Sequence, residues 1–125
     1  IPKGWEVGRE TSFGQREYMG TDGEMGTMTG SAKGSNWDRL YQTSLFFIRR
    51  SMKGEPTPYK IVKAKQGYEA MTFNMMYEER PVARYVILMN DKEEILALSV
   101  KIPSKAKQKE MEKAFQRMVD TAKMR

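Results

Sequence analysis

Five glutamates, Glu69, Glu78, Glu79, Glu93 and Glu94, lie on or beside strand-like segments of this chain. Two carboxyls are the minimum for general acid–base chemistry, but nothing in the spacing of these five holds a pair at glycosidase separation. The chain has no histidine and no cysteine. Imidazole and thiolate are therefore absent as base, nucleophile or ligand, and with them go Ser-His and Cys-His pairs and the usual zinc, copper and haem sites. The acidic turns "TDGE" and "NDKEE" offer too few converging oxygens for calcium. The glycine-rich "GTDGEMGTMTG" is not followed by the Lys-Ser/Thr of a phosphate loop. The expectation is a protein that is not an enzyme and has no catalytic residues, metal or cofactor.

The residues that stand out are aromatic and basic. In "QTSLFFIRR" two phenylalanines adjoin within an amphipathic helical pattern. Helical neighbours point about 100° apart, so Phe46 and Phe47 cannot both sit at the centre of one buried stripe. Trp37, Leu40, Tyr41, Ser44, Leu45, Ile48 and Met52 form that stripe, which sends Phe47 inward and Phe46 outward. Arg39, Arg49 and Arg50 surround Phe46. Aromatic and arginine side chains dominate interface energies, so Phe46, Arg39, Arg49 and Arg50 are the candidate protein-binding patch.

The elements that must position this patch follow from periodicity and punctuation. The 125 residues make a single α+β domain, large enough for one core. Eight of the ten glycines fall in residues 1–34, read as glycine-rich edge strands and loop, with 20–34 a long loop or thin strands with bulges. A helix spans 36–53, capped by Ser35 or Asn36, with Asp38 in its first turn and Gly54 as its stop. An antiparallel meander of four strands occupies 58–102, with "EERP" and "NDKE" as hairpin connections. Tyr85, Ile87 and Met89 alternate with Val86 and Leu88, so both faces of this sheet are apolar and both need cover. A closing helix, 104–124, carries the stripe Met111, Ala114, Phe115, Met118, Val119 and Ala122. The eleven methionines read as core filler in the main, and otherwise as an adaptable surface for apolar partner segments.

A net charge of +6 favours an acidic partner or an anionic membrane surface. The expected partner is a protein, acidic or membrane-associated, and no small-molecule substrate is expected. Lysines and arginines are dispersed along the chain, which counts against a nucleic-acid stripe. The alternative is still an RNA-binding module: "PYKIVKAKQGYEAMTF" and "PSKAKQKEMEKAF" look superficially like a double-stranded-RNA-binding layout, with Lys105, Lys107 and Lys109 as the nucleic-acid contacts.

Pro2, Gly4 and Trp5 of "IPKGWEV", the meander "GYEAMTFNMMYEERPVARYVILMNDKEEILALSVKIP" and the last helix "EMEKAFQRMVDTAK" together resemble the Mog1/PsbP/DcrB-like superfamily. The resemblance implies a middle sheet covered by helices and a non-enzymatic accessory or adaptor protein. It also implies export, as a periplasmic protein or lipoprotein, or a place in the thylakoid lumen. The chain opens on Ile1, and a removed N-terminal targeting or lipid-anchoring segment is expected, with a cytoplasmic location as the alternative.

Overall fold

The computed structural model describes the backbone of residues 6–10, 16–19 and 24–124, and the side chains from Met25 to Met124. Pro2, Gly4 and Trp5 lie outside the described residues. Among the described residues eight strands and two helices follow one another: β1 (Glu6–Glu10), β2 (Arg16–Met19), β3 (Glu24–Ser31), α1 (Trp37–Ser51), β4 (Glu55–Pro56), β5 (Lys60–Lys63), β6 (Glu69–Tyr77), β7 (Arg80–Met89), β8 (Glu94–Lys101) and α2 (Gln108–Thr121). The strands form one antiparallel sheet in the order β1-β2-β3-β8-β7-β6-β4, and β5 also pairs with β6. The fold is α+β, as the sequence implies.

The sheet is a middle layer. Alternate residues of each strand point to opposite faces, and the two faces bury separate clusters. Met71, Phe73, Met75, Ala83 and Ile87 pack with Tyr41, Leu45 and Ile48 of α1. Ala70, Val86, Leu88, Leu98 and Val100 pack with Met111, Phe115 and Val119 of α2 on the other side. Each helix carries a single apolar stripe and so can cover only one face, which is why a sheet greasy on both needs two. Arg84, on the α2 side of β7, lies 3.9 Å from Glu112 and adds a polar tie across that interface.

The hairpins fall where the turn residues place them. Glu78 and Glu79 form a two-residue β6–β7 turn with φ of 51° and 65°. Asn90 organises the β7–β8 turn, its Oδ1 accepting from the amides of Lys92 and Glu94 at 3.0 Å each.

One expectation is settled between its alternatives, and three are corrected. Of the two readings of 20–34, loop or strands, the strand reading holds from residue 24: Glu24–Ser31 is a full strand in the sheet interior, paired with β8 from Met25↔Val100 to Ser31↔Glu94. One of its two partner strands, β8, is distant in sequence, and no local apolar density signals that pairing. The first helix ends at Ser51 with Met52 extended, so Gly54 does not terminate it. Gly54 instead turns the chain into β4 at φ 133°, where a Cβ would come within 2.6 Å of the Met76 carbonyl oxygen. The last helix starts at Gln108, because residues 105–107 form a turn.

The fourth concerns Phe47, which is 60% exposed, as is Phe46. The fully covered stripe of α1 is narrow: Tyr41, Leu45 and Ile48. Leu40 and Ser44 are only half-buried, so the stripe's centre lies further from Phe47 than a stripe including them implies. At about 100° per residue, both phenylalanines stand about 130° from that centre, on opposite sides of the helix's outermost line. Phe47 therefore points outward.

The methionines divide as core filler requires for the most part. Met25, Met71, Met75 and Met111 are fully buried, whereas Met28 is exposed.

Candidate functional site

The outer face of α1 is set by its two ends and its buried stripe. Asn36 caps the N-terminus, Oδ1 accepting from the Arg39 amide at 2.8 Å, and Asp38 lies in the positive first turn. Arg49 and Arg50 occupy the last turn, where the dipole favours cations. The helix is thereby fixed in length and rotation, and whatever lies opposite Tyr41, Leu45 and Ile48 faces solvent.

On that solvent side the rings of Phe46 and Phe47 meet edge to face, with centroids 5.4 Å apart at 84°. The Arg50 guanidinium lies 5.2 Å from the Phe46 centroid, over the ring. Arg50 stands between the two phenylalanines on the helix's outermost line, and Arg39 falls on nearly the same line two to three turns earlier. Arg39 also donates from Nη1 to the Gly34 carbonyl at 3.4 Å, which anchors its stem over the N-terminus. The result is a stripe of two large apolar rings and two guanidiniums.

Of the four residues singled out from sequence, Phe46, Arg39 and Arg50 share this stripe. Arg49 is exposed but on the flank: its charge lowers the pKa of Tyr41, opposing the larger rise that burial imposes on that phenol. Phe47 belongs to the site and was missed by the sequence reading. The available signal was the spacing of Tyr41, Leu45 and Ile48 alone, whose mean direction lies about 130° from Phe47.

Behind the stripe is an aromatic layer that holds α1 in place. Tyr41 meets Phe73 edge to face at 5.0 Å and Tyr59 at 4.9 Å, and its hydroxyl donates to the Thr57 carbonyl at 2.7 Å. Phe73 stacks on Tyr85 at 5.1 Å and 16°. The Tyr85 phenol is pushed up to about 12 by burial alone.

The alternative contacts are scattered. Lys105 and Lys107 sit in the turn before α2, and only Lys109 is helical. Lys107 pairs with Glu110 at 3.8 Å. The glutamates do not converge either. Glu78 and Glu79 occupy the turn at one end of β7, while Glu93 and Glu94 lie at the other. The ten-residue strand between them spans about 30 Å. Among the described residues no group of three or more acidic side chains is placed to hold a metal ion.

The class defined here is an α+β domain with a two-sided core and an exposed aromatic–arginine stripe on one covering helix. No protein-family model matches this chain, and no curated protein matches it in sequence.

Proposed function

We propose that this protein is a non-enzymatic accessory or adaptor protein that binds another protein through the outer face of α1. The observation that carries this reading is the pair Phe46 and Phe47, each 60% exposed on a helix whose opposite face is fully engaged in the core. Adjacent exposed aromatics beside arginines have the composition of an interface hot spot. The two guanidiniums and the overall positive charge select a partner with an apolar pocket rimmed by carboxylates. The sheet covered by a helix on each face supports the likeness to the Mog1/PsbP/DcrB-like superfamily, and with it export or lipid anchoring as the setting for this contact. No helix among the described residues is long and apolar enough to cross a membrane.

The test is photo-crosslinking in cells from a benzophenone amino acid placed at position 47, with Phe46 intact. A discrete adduct with one protein, lost in Phe46→Ser and in Arg50→Glu while the fold remains intact, is the expected result. An absence of adduct, or an adduct indifferent to both substitutions, refutes the reading. Fractionation of the cells in which the adduct forms tests the compartment. Crosslinks to RNA in place of protein, weakened steeply by salt, would support the alternative.

A further inference from the structure

A second surface lies at the sheet edge, away from the stripe on α1. Strand β5, Lys60-Ile61-Val62-Lys63, is exposed at every residue, with Ile61 44% and Val62 46% accessible. It pairs with β6 in the register Lys60↔Thr72, Ile61↔Met71, Val62↔Ala70 and Lys63↔Glu69. The Ala64 amide donates to the Tyr68 carbonyl at 2.9 Å, which makes Ala64–Tyr68 a hydrogen-bonded pair. Antiparallel ladders alternate, so Val62 and Lys60 also turn their amides and carbonyls toward β6. Ile61 and Lys63 must turn theirs outward, where no strand among the described residues meets them.

The C-terminal end of the strand is tied into the fold. The turn after it clamps the end of α2: Gln66 Nε2 donates to the Val119 and Ala122 carbonyls at 2.6 and 2.7 Å, and the Tyr68 hydroxyl accepts from the Met124 amide at 3.0 Å. An ordered strand with an open ladder is a template for strand addition. Its charge decides what can add. Lys60, Lys63 and Lys65 lie within six residues. Lys65 is offset by Asp120 at 3.7 Å, and Lys63 faces Glu69 across the register, but Lys60 faces Thr72. A second copy of this strand would bring its own lysines alongside these, and that repulsion disfavours self-pairing.

We propose that the β5 edge binds an extended acidic segment of a partner protein by strand addition. The bonds are made through the backbone of Ile61 and Lys63. Carboxylates of the segment lie beside Lys60 and Lys63, and its apolar residues cover Ile61 and Val62. This surface is independent of the α1 stripe, and the two together would let one chain hold two partners.

The test uses the whole protein and a capped peptide centred on Glu-Val-Val-Glu, the order that sets carboxylates beside Lys60 and Lys63 and valines beside Ile61 and Val62, read by residue-resolved amide hydrogen exchange. Amide protection at Ile61 and Lys63 should rise at least about tenfold at saturating peptide, with no change along α1. The effect should vanish when alternate peptide nitrogens are methylated, and in the exposed-site variant Lys60→Glu/Lys63→Glu. It should persist in Phe46→Ser, so failure here and failure of the α1 contact are separable. No protection at those two amides overturns the proposal. Equal protection by a lysine–valine peptide, or by an RNA oligonucleotide that has no peptide ladder, overturns it as well.

Discussion

Gln66 offers a sharp test of how the two halves of the fold are joined. Its Nε2 donates both hydrogens, at 2.6 and 2.7 Å, to the Val119 and Ala122 carbonyls at the C-terminus of α2. Those carbonyls have no partner within the helix, so the side chain does from the β5–β6 turn what a C-cap does locally. Its Oε1 is buried without a partner. Gln66→Ala removes two hydrogen bonds, a loss of about 2 kcal/mol, and also removes the orphaned oxygen, which returns about 1 kcal/mol. The net expected loss is about 1 kcal/mol, or about 3–5 °C in Tm. Gln66→Glu keeps the shape but has no N–H to give, and it sets a negative charge against two carbonyls and the negative helix pole. We expect it to lose about 3 kcal/mol at pH 7. The sign of its pH dependence follows. Those carbonyls raise the folded-state pKa of the introduced carboxyl above its unfolded value, because the protonated form can donate one bond. Its stability relative to Gln66→Ala is then best below the unfolded pKa, about 4.3, and is lost as pH rises through the folded pKa. Urea unfolding of both variants and the parent at pH 4 and pH 7 measures this. If the two variants are equally stable at pH 7 and their difference does not change with pH, Gln66 does not clamp α2.

Three further outcomes follow from the same packing. Phe115→Ala, in the α2-side core at 1% exposure, should cost about 3–5 kcal/mol, whereas Phe47→Ala should cost less than about 1 kcal/mol by urea unfolding; similar costs would return Phe47 to the core. Replacing Glu78 and Glu79, both at positive φ, by Asn-Gly should stabilise by about 1–2 kcal/mol and raise Tm, because that dipeptide suits the turn. The Tyr85 phenol is raised by burial to about 12 from an unfolded value of 10, so its contribution is intact below pH 10 and is lost as pH climbs through 12. A Tyr85→Phe variant should unfold at higher pH than the parent in an alkaline titration followed by circular dichroism.

Much of this architecture is legible in the amino-acid sequence. Ser35 or Asn36 is expected to cap the first helix, and of the two it is Asn36 that accepts from the Arg39 amide. The period of Met111, Phe115 and Val119 located the buried face of α2. The alternation of Tyr85, Val86, Ile87 and Leu88 implied cover on both faces, and α1 and α2 supply it. Three of the stripe's four residues, Phe46, Arg39 and Arg50, are equally plain, since they lie opposite any reasonable apolar stripe.

What sequence alone determined is what depends on neighbours within a turn or a hairpin: helix caps, the two helical stripes, the "EERP" and "NDKE" turns, and the absence of imidazole and thiol chemistry. What only the tertiary structure decided depends on contacts far apart in the chain. Glu24–Ser31 became an interior strand because the distant β8 pairs with its backbone on the side away from β2, although its glycines give little apolar signal. Phe47 turned outward because the sheet covers only Tyr41, Leu45 and Ile48, and the width of a buried stripe is set by the surface it meets. The clamp from Gln66 to α2 joins residues 53 and 56 positions apart, and no local pattern encodes such a bond.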